Sequence, residues 1–523
     1  MASTPSGAGI SSYTGSRGDL KNQIHLLFSR RFLPLFATQF LGAFNDNLFK
    51  NALVIMIMYA GLQVWGVSSG VLVVAAGGIF ILPFFLFSSL AGQLADKYEK
   101  SAIIRLVKAW EILLMLLAAM GFYTMNPALL LGVLFLMGTQ STFFGPIKYS
   151  ILPNHLQRDE LIAGNALIEA ATFVAILLGT IGGGVLIAME GGANVVSAGL
   201  LLVALAGLAT SLFVPRAPAP AAGLKIGWNV FAESWNIINI ARSSRPVFLS
   251  ILGISWFWLI GAVFLSTLPV YVKDIVGGTE GVVTLFLTMF SVGTGLGSLL
   301  CNKLLKGEID TRYVPLGAFG MTMFGLDLCL ASLGLPIPAE GAIAPMTLAP
   351  MTVAQFLSHL VGWRISLDLF MIAACGGLFI VPLYAVMQTR CKEEERARVI
   401  AANNIMNALF MVVSAGGAAA IIGSGLSPVF LFLVVSLLNG GAYFIIRSLA
   451  LESGDKPVLR FLLKIILKAI YQIRVRGMEH VASAGGNVMI VANHQSFLDG
   501  VLMGVFFPGR YSFVVNRFMA GRW

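Results

Sequence analysis

Charge is what this chain has least of. Only 11% of its 523 residues are Asp, Glu, Lys or Arg, less than half the share of about 25% that a soluble chain carries. At about 150 residues per domain the length suggests three or four globules, and so few charges cannot clothe them in water. A water-soluble enzyme and a disordered regulator are both excluded. Cysteine is scarce too. Cys301, Cys329, Cys375 and Cys391 lie in or beside apolar runs with no paired spacing, which implies neither a disulfide framework nor a zinc site. The alternation of short strands that marks a lipid-facing β-barrel is missing. So is a signal peptide: the N-terminal stretch is rich in Ser and Gly and ends in Arg30 and Arg31 without a cleavage site after a short apolar core. Residues 1–32 therefore read as a disordered cytosolic tail.

Apolar length is what remains. Hydrophobic residues make up 57% of the chain and the mean hydropathy is +0.86, so most of it must meet lipid. A hydrocarbon core about 30 Å thick takes about 20 helical residues. Runs of that length, cut at Gly, Pro and charge clusters, mark twelve expected spans: Leu33 to Ala60, Ser69 to Gly92, Ala102 to Thr124, Ala128 to Ile147, Leu161 to Ala188, Asn194 to Val214, Val247 to Val272, Gly281 to Cys301, Val314 to Leu335, Ile365 to Met387, Val399 to Gly423 and Pro428 to Ala450. The fold class expected is an all-α polytopic membrane protein of six plus six helices.

The net charge of +10 does not form a groove-lining stripe, and no nucleic-acid partner is expected. Lys and Arg recur instead between spans. The tail and the connections after even-numbered spans hold Arg30, Arg31, Lys97, Lys100, Lys148, Arg158, Arg216, Lys225, Arg242, Arg245, Lys303, Lys306, Arg312, Arg390, Lys392 and Arg396, whereas the opposite connections offer only Lys273 and Arg364. By the positive-inside rule both chain ends face the cytoplasm. The connection at residues 215–246 divides the spans into halves at 33–214 and 247–450. It opens on a Pro/Ala tract, and Leu224, Trp228, Phe231, Trp235 and Ile238 recur within it at helical spacing, the pattern of an interfacial helix on the inner leaflet. A repeat supports two parallel halves: Ala163 to Leu167 follows the fourth span much as Ala401 to Ile405 follows the tenth. Such halves enclose a substrate cavity near the midplane.

Polar residues inside spans are the candidate site. Gln39, Asp46 and Lys50 stand at i, i+7 and i+11 on one face of the first span, and a carboxylate at span centre costs at least about 2.5 kcal/mol unless paired or wetted. An Asp46–Lys50 pair that neutralises itself is one reading; a polar headgroup or cation site that also uses Asn45 and Asn47 is the other. Arg105, Lys108 and Glu111 descend the third span, Arg105 as a snorkelling anchor and Glu111 as a partner for Lys108. Glu111, Glu169, Asp327, Asn403 and Asn407 are further cavity candidates. After the second span comes Gly92-Gln93-Leu94-Ala95-Asp96-Lys97-Tyr98-Glu99-Lys100. Gly92 permits close helix approach, and Asp96 can accept bonds from a helix N-terminus or an arginine across a gate. The loop resembles the signature G-x-L-A-D-K-x-x-K of the major facilitator superfamily, with Gly92, Asp96, Lys97 and Lys100 as its gate residues. The matching place after the eighth span, Gly297 to Lys303, has no acid.

Beyond Ala450 the composition changes, and residues 451–523 read as the start of an α/β domain. Arg460, Lys464 and Lys468 share one face of an apolar helix suited to an anionic leaflet. Short strands are expected at Ile473 to Gly477 and Asn487 to Ala492, followed by Asn493-His494-Gln495-Ser496-Phe497-Leu498-Asp499. His-x4-Asp at a strand-to-helix turn lets Asp499 hold the His494 imidazole while its other nitrogen deprotonates a hydroxyl attacking an acyl thioester. The segment resembles the first block, N-H-x-S-x-x-D, of glycerolipid acyltransferases. The E-G-T-R-like block that holds the substrate phosphate in those domains does not occur before Trp523, so transport without reacylation is the expectation for this chain.

Together the two segments resemble the bacterial family in which a lysophospholipid transporter is fused to a 2-acylglycerophosphoethanolamine acyltransferase. That resemblance implies a monomeric, multi-pass inner-membrane flippase. It also implies lysophospholipid and membrane lipid as partners, no cofactor, and acyl-carrier protein or acyl-CoA as acyl donor. It assigns Asp46 to the family's first-span acid and His494 with Asp499 to its catalytic pair. An acyltransferase merely anchored by its spans and a facilitator of a soluble drug, sugar or peptide are the alternatives.

Overall fold

In a computed structural model of the chain, residues 20–59, 69–335 and 350–451 are described, with isolated positions beyond. His494, Asp499 and the two expected C-terminal strands lie outside the described residues, apart from the single position Ile473.

The regular structure of the described residues is helical. A short α1 (Leu20–Leu27) precedes α2 (Leu33–Tyr59), α3 (Ser69–Lys97), α4 (Lys100–Tyr123), α5 (Pro127–Ser150), the single turn α6 (Leu152–His155), α7 (Leu161–Ala188) and α8 (Gly192–Ser211). After the connection come α9 (Val230–Arg242), α10 (Arg245–Tyr271), α11 (Glu280–Leu305), α12 (Val314–Leu333), the short α13 (Val353–Leu357), α14 (Leu360–Thr389), α15 (Arg396–Gly423) and α16 (Pro428–Leu451). Among the described residues nine helices are long and apolar enough to cross a membrane. Helix α1 falls within the stretch read as a disordered tail. Leu26 is buried there, and Gln23 Nε2 donates to the Leu299 carbonyl of α11 at 3.2 Å.

Local chemistry sets the helix starts. Asn126 caps α5 by accepting from Leu129 N–H at 3.0 Å, with Pro127 at the first helical position, where its missing N–H costs nothing. Asn229 caps α9 through Ala232 N–H at 3.1 Å. Glu99 caps α4 through Ser101 and Ala102 N–H at 2.9 and 2.8 Å. Its carboxylate also accepts from Ala217 N–H at 2.8 Å, which straps the inter-half connection to this loop. Farther along the strap Gln93 and Gly227 exchange two bonds, at 2.8 and 3.3 Å.

Helix α9 carries its aromatic side chains outward. Trp228, just before it, and Phe231 and Trp235 within it are exposed, while Ile237 and Ala241 are buried beneath. Helices α2 to α8 and α10 to α16 pack as two groups that meet along α3 against α15 and α7 against α11. Close to one end of the bundle α3 is pressed onto α15: a β-carbon on Gly92 would lie 2.7 Å from the Ala401 β-carbon and 3.0 Å from the Arg398 α-carbon. No larger residue fits there without moving backbone. This is called the gate end below.

Candidate transport site

Between the two groups of helices lies a cavity of about 360 Å³. Helix α2 supplies Gln39, Asp46, Asn47 and Lys50 to its wall. The i, i+7, i+11 stripe thus reaches the space the spacing demands, because those steps return to one side of a 3.6-residue helix. Asp46 Oδ2 accepts from Ser141 Oγ of α5 at 2.7 Å. No ion pair joins Asp46 to Lys50 within 4.0 Å among the described residues. Gln39 Oε1 accepts from Thr172 Oγ1 at 3.2 Å, and Asn407 of α15, also in the wall, accepts from Ser255 Oγ at 2.8 Å.

Other expected residues take different places. Asn45 turns away from the wall, about 100° round the helix from Asp46, and donates to Glu111 Oε1 at 2.9 Å. Glu111 stands behind the wall and pairs with Lys108 at 2.6 Å. Glu169 is buried under the floor and accepts from the Tyr149 hydroxyl. Asn403 is buried against Tyr384. Asp327 lies outside the cavity, paired with Arg364 between α12 and α14.

The sequence reading did not place Lys108, Ser141, Lys148, Tyr149, Trp258 or Tyr384 in the wall. Lys148 reads there only as a topology marker, and the aromatic residues carry no sequence signal that separates them from core. With Lys50, Lys108 and Lys148 facing one carboxylate, the wall carries more positive than negative charge.

Toward the gate end the cavity closes in layers. Tyr149 stacks on Tyr384 of the other half, and Trp258 Nε1 donates to the Tyr384 hydroxyl at 3.4 Å. Below them Asn165 of α7 and Gln388 of α14 exchange bonds of 2.8 and 2.9 Å. At the rim Asp96, fully buried, accepts from Ala397 N–H at 3.0 Å, Arg398 N–H at 3.2 Å and Arg398 Nε at 3.0 Å. A carboxylate therefore caps the N-terminus of α15, where the orphan N–H groups and helix dipole favour an anion. Lys97 turns onto the Tyr98 ring. Lys100 is buried, and its backbone N–H donates to the Ala217 carbonyl at 3.2 Å.

Comparison with known proteins agrees with this arrangement. The Major Facilitator Superfamily profile matches residues 35–413. The chain belongs to that superfamily. Residues 472–521 of this facilitator match a second profile, described as Acyltransferase. It is 27% identical over 397 residues to a protein of Enterobacter sp. (strain 638) named lysophospholipid transporter LplT, covering 75% of this chain and 88% of that one. It is 26% identical over 425 residues to the protein of the same name from Escherichia coli (strain K12 / DH10B), covering 77% and 92%. Among solved structures, the facilitator matches the fucose:proton symporter FucP in its outward conformation at TM-score 0.58 and 15% identity, over 80% of this chain and 98% of that one. The human organic anion transporter MFSD10 matches at TM-score 0.58 and 12% identity, over 80% and 99%. These two likenesses concern the fold.

Proposed function

We propose that this facilitator moves lysophospholipid, such as lysophosphatidylethanolamine, to the cytoplasmic leaflet by alternating access, and that its C-terminal segment is the start of an acyltransferase domain that reacylates the lipid. In this reading twelve helices span the inner membrane as halves at 33–214 and 247–450. Both chain ends and the gate end are cytoplasmic.

The observation that carries the reading is the cavity wall. A zwitterionic headgroup needs an acid for its ammonium and cations for its phosphate, and Asp46 faces Lys50, Lys108 and Lys148. The α3 and α15 sides of the wall are apolar apart from Asn404 and Asn407: Phe80, Ile81 and Phe84 oppose Ala408 and Met411. That side suits an acyl chain reaching toward lipid while the headgroup stays in the polar pocket. The names of the relatives support the same substrate class. His494 and Asp499 would supply base and orienter for acyl transfer, with acyl-carrier protein or acyl-CoA as donor.

The test is flux of labelled lysophosphatidylethanolamine in proteoliposomes beside a sugar and a cationic drug. Selective lysolipid flux is expected. Transport of the sugar or the drug in its place would assign the cavity to a soluble solute, and acyl transfer with no flux would leave an anchored acyltransferase.

A further inference from the structure

One lysine of the three is built into the wall. The Lys108 side chain leaves α4 and crosses α2 at Gly42, where a β-carbon would lie 2.6 Å from Nζ. It also passes Gly207 of α8, where a β-carbon would lie 3.7 Å from Nζ. Two glycines on two helices thus leave the passage along which this ammonium reaches the cavity. Its end is held there. Nζ donates to Glu111 Oε2 at 2.6 Å, and Glu111 is fixed from both neighbouring helices, by Asn45 Nδ2 at 2.9 Å and Gln140 Nε2 at 3.1 Å. The side chains of the pair are 1% and 3% exposed.

The pair is oriented, cation at the wall and anion behind it. An ammonium has three N–H donors, and among the described residues Glu111 is the one hydrogen-bond acceptor Lys108 has. Donors remain for a ligand. Lys50 and Lys148 line the same space without an ion pair among the described residues. Lys148 rests on the Tyr149 ring, 4.6 Å from its centroid, and no carboxylate among the described residues fixes either ammonium, so Lys50 above all must give up side-chain freedom when it binds. Lys108 has given it up already, and preorganisation of that kind favours affinity.

We propose that Lys108 anchors the phosphodiester of the lysophospholipid headgroup, and that Glu111, Asn45, Gln140 and Gly42 are positioning residues that hold its ammonium in place beforehand. The assignment rests on the lysophospholipid reading and names the group that recognises the phosphate.

The experiment compares binding of lysophosphatidylethanolamine and of a monoacylglycerol with the same chain to the full protein, with inorganic phosphate as competitor. The wild type should prefer the phosphate-bearing lipid by about tenfold or more, the worth of a charge-assisted hydrogen bond. Lys108→Gln should erase that preference, but it strands a buried carboxylate and can prevent folding. The double variant Lys108→Gln with Glu111→Gln removes both charges at nearly constant shape. It should fold, keep monoacylglycerol binding and lose the phosphate preference. Gly42→Ala, which displaces the ammonium, should lose part of it.

A folded double variant that still prefers the phosphate would show that the pair only cancels buried charge, and the proposal would fall. It would also fall if inorganic phosphate competed as strongly as the lysolipid, which would mark a free-anion site. Wild-type flux without phosphate preference overturns this assignment and leaves the transport reading standing; phosphate preference without flux does the reverse.

Discussion

Tyr149 and Tyr384 lie face to face across the two halves, ring centroids 4.3 Å apart and planes 9° from parallel. Among the described residues neither ring stacks on an aromatic ring of its own half; the stack is the floor of the cavity. An aromatic pair adds about 0.5–1.5 kcal/mol beyond its buried area, so Tyr384→Ala should shift the population toward a gate-open state by roughly two- to tenfold. Distances between spin labels at the gate ends of α3 and α15 would report the shift. An unchanged distribution would mean that the layers below, Asn165–Gln388 and Asp96–Arg398, hold the closure alone.

Asp96→Ala removes the cap of α15 and leaves the Arg398 guanidinium, mostly buried, without its carboxylate. Hydrogen bonds to charged groups are worth about 1.5–3 kcal/mol. The expected outcome is a gate-open population raised roughly ten- to a hundredfold, with lysolipid affinity little changed. Loss of affinity with both faces equally accessible would place the residue in the binding site instead.

Asp46→Asn keeps the shape of the wall and the Ser141 contact but deletes the one acid among the lining residues. Lysolipid flux should fall at least tenfold, the worth of one charge-assisted contact, while thermal stability in detergent stays within about 1 kcal/mol of wild type. Wild-type flux in a well-folded variant would exclude Asp46 from recognition.

The strap at Glu99 should loosen in acid. Burial alone would push this carboxyl up, but the N–H groups of Ala217, Ser101 and Ala102 and the Ser101 hydroxyl outweigh it and hold the group below its ordinary 4.5. A depressed carboxylate contributes stability that is full above the ordinary value and disappears as pH falls through the lowered one. Amide exchange at Ala217 should therefore accelerate as pH falls below that ordinary value and through the lowered one, beyond the intrinsic change, and Glu99→Gln should abolish that dependence. A wild-type profile identical to that of the variant would detach the strap from this residue.

In a chain extended to carry the phosphate-holding block of the acyltransferase domain as well, His494→Ala should reduce lysolipid acylation by about a hundredfold or more, the usual contribution of a general base, while flux is spared. Undiminished acylation would exclude the His-x4-Asp reading.

What the sequence disclosed depended on how far apart the partners lie. The stripe Gln39, Asp46, Lys50 is legible because helical periodicity operates within one segment. Asn45 is adjacent to Asp46, yet it serves another helix, and only the packing of α2 against α4 distinguishes the two. Asp96 stands out through the spacing of its loop. Its partners Ala397 and Arg398 are about three hundred residues away and have no local mark. Lys148 reads as a charge at a span end because hydropathy cannot tell a rim from a cavity. The aromatic floor was invisible for the same reason: Tyr149 and Tyr384 look like any buried ring until two halves meet.

The pinched glycine at Gly92 has a counterpart in what substitution libraries should record. A methyl group added there collides with the Ala401 β-carbon and crowds the backbone of Ala397 and Arg398, whereas one added at Gly77 or Gly78 of α3, or at Gly416 or Gly417 of α15, meets nothing within 4 Å. The same chemical change on the same two helices should then be refused at the closed end and accepted at the other. A map of alanine tolerance along α3 and α15 becomes a record of which conformation the protein occupies: conditions that invert the bundle should make the forgiving positions strict and the strict one forgiving.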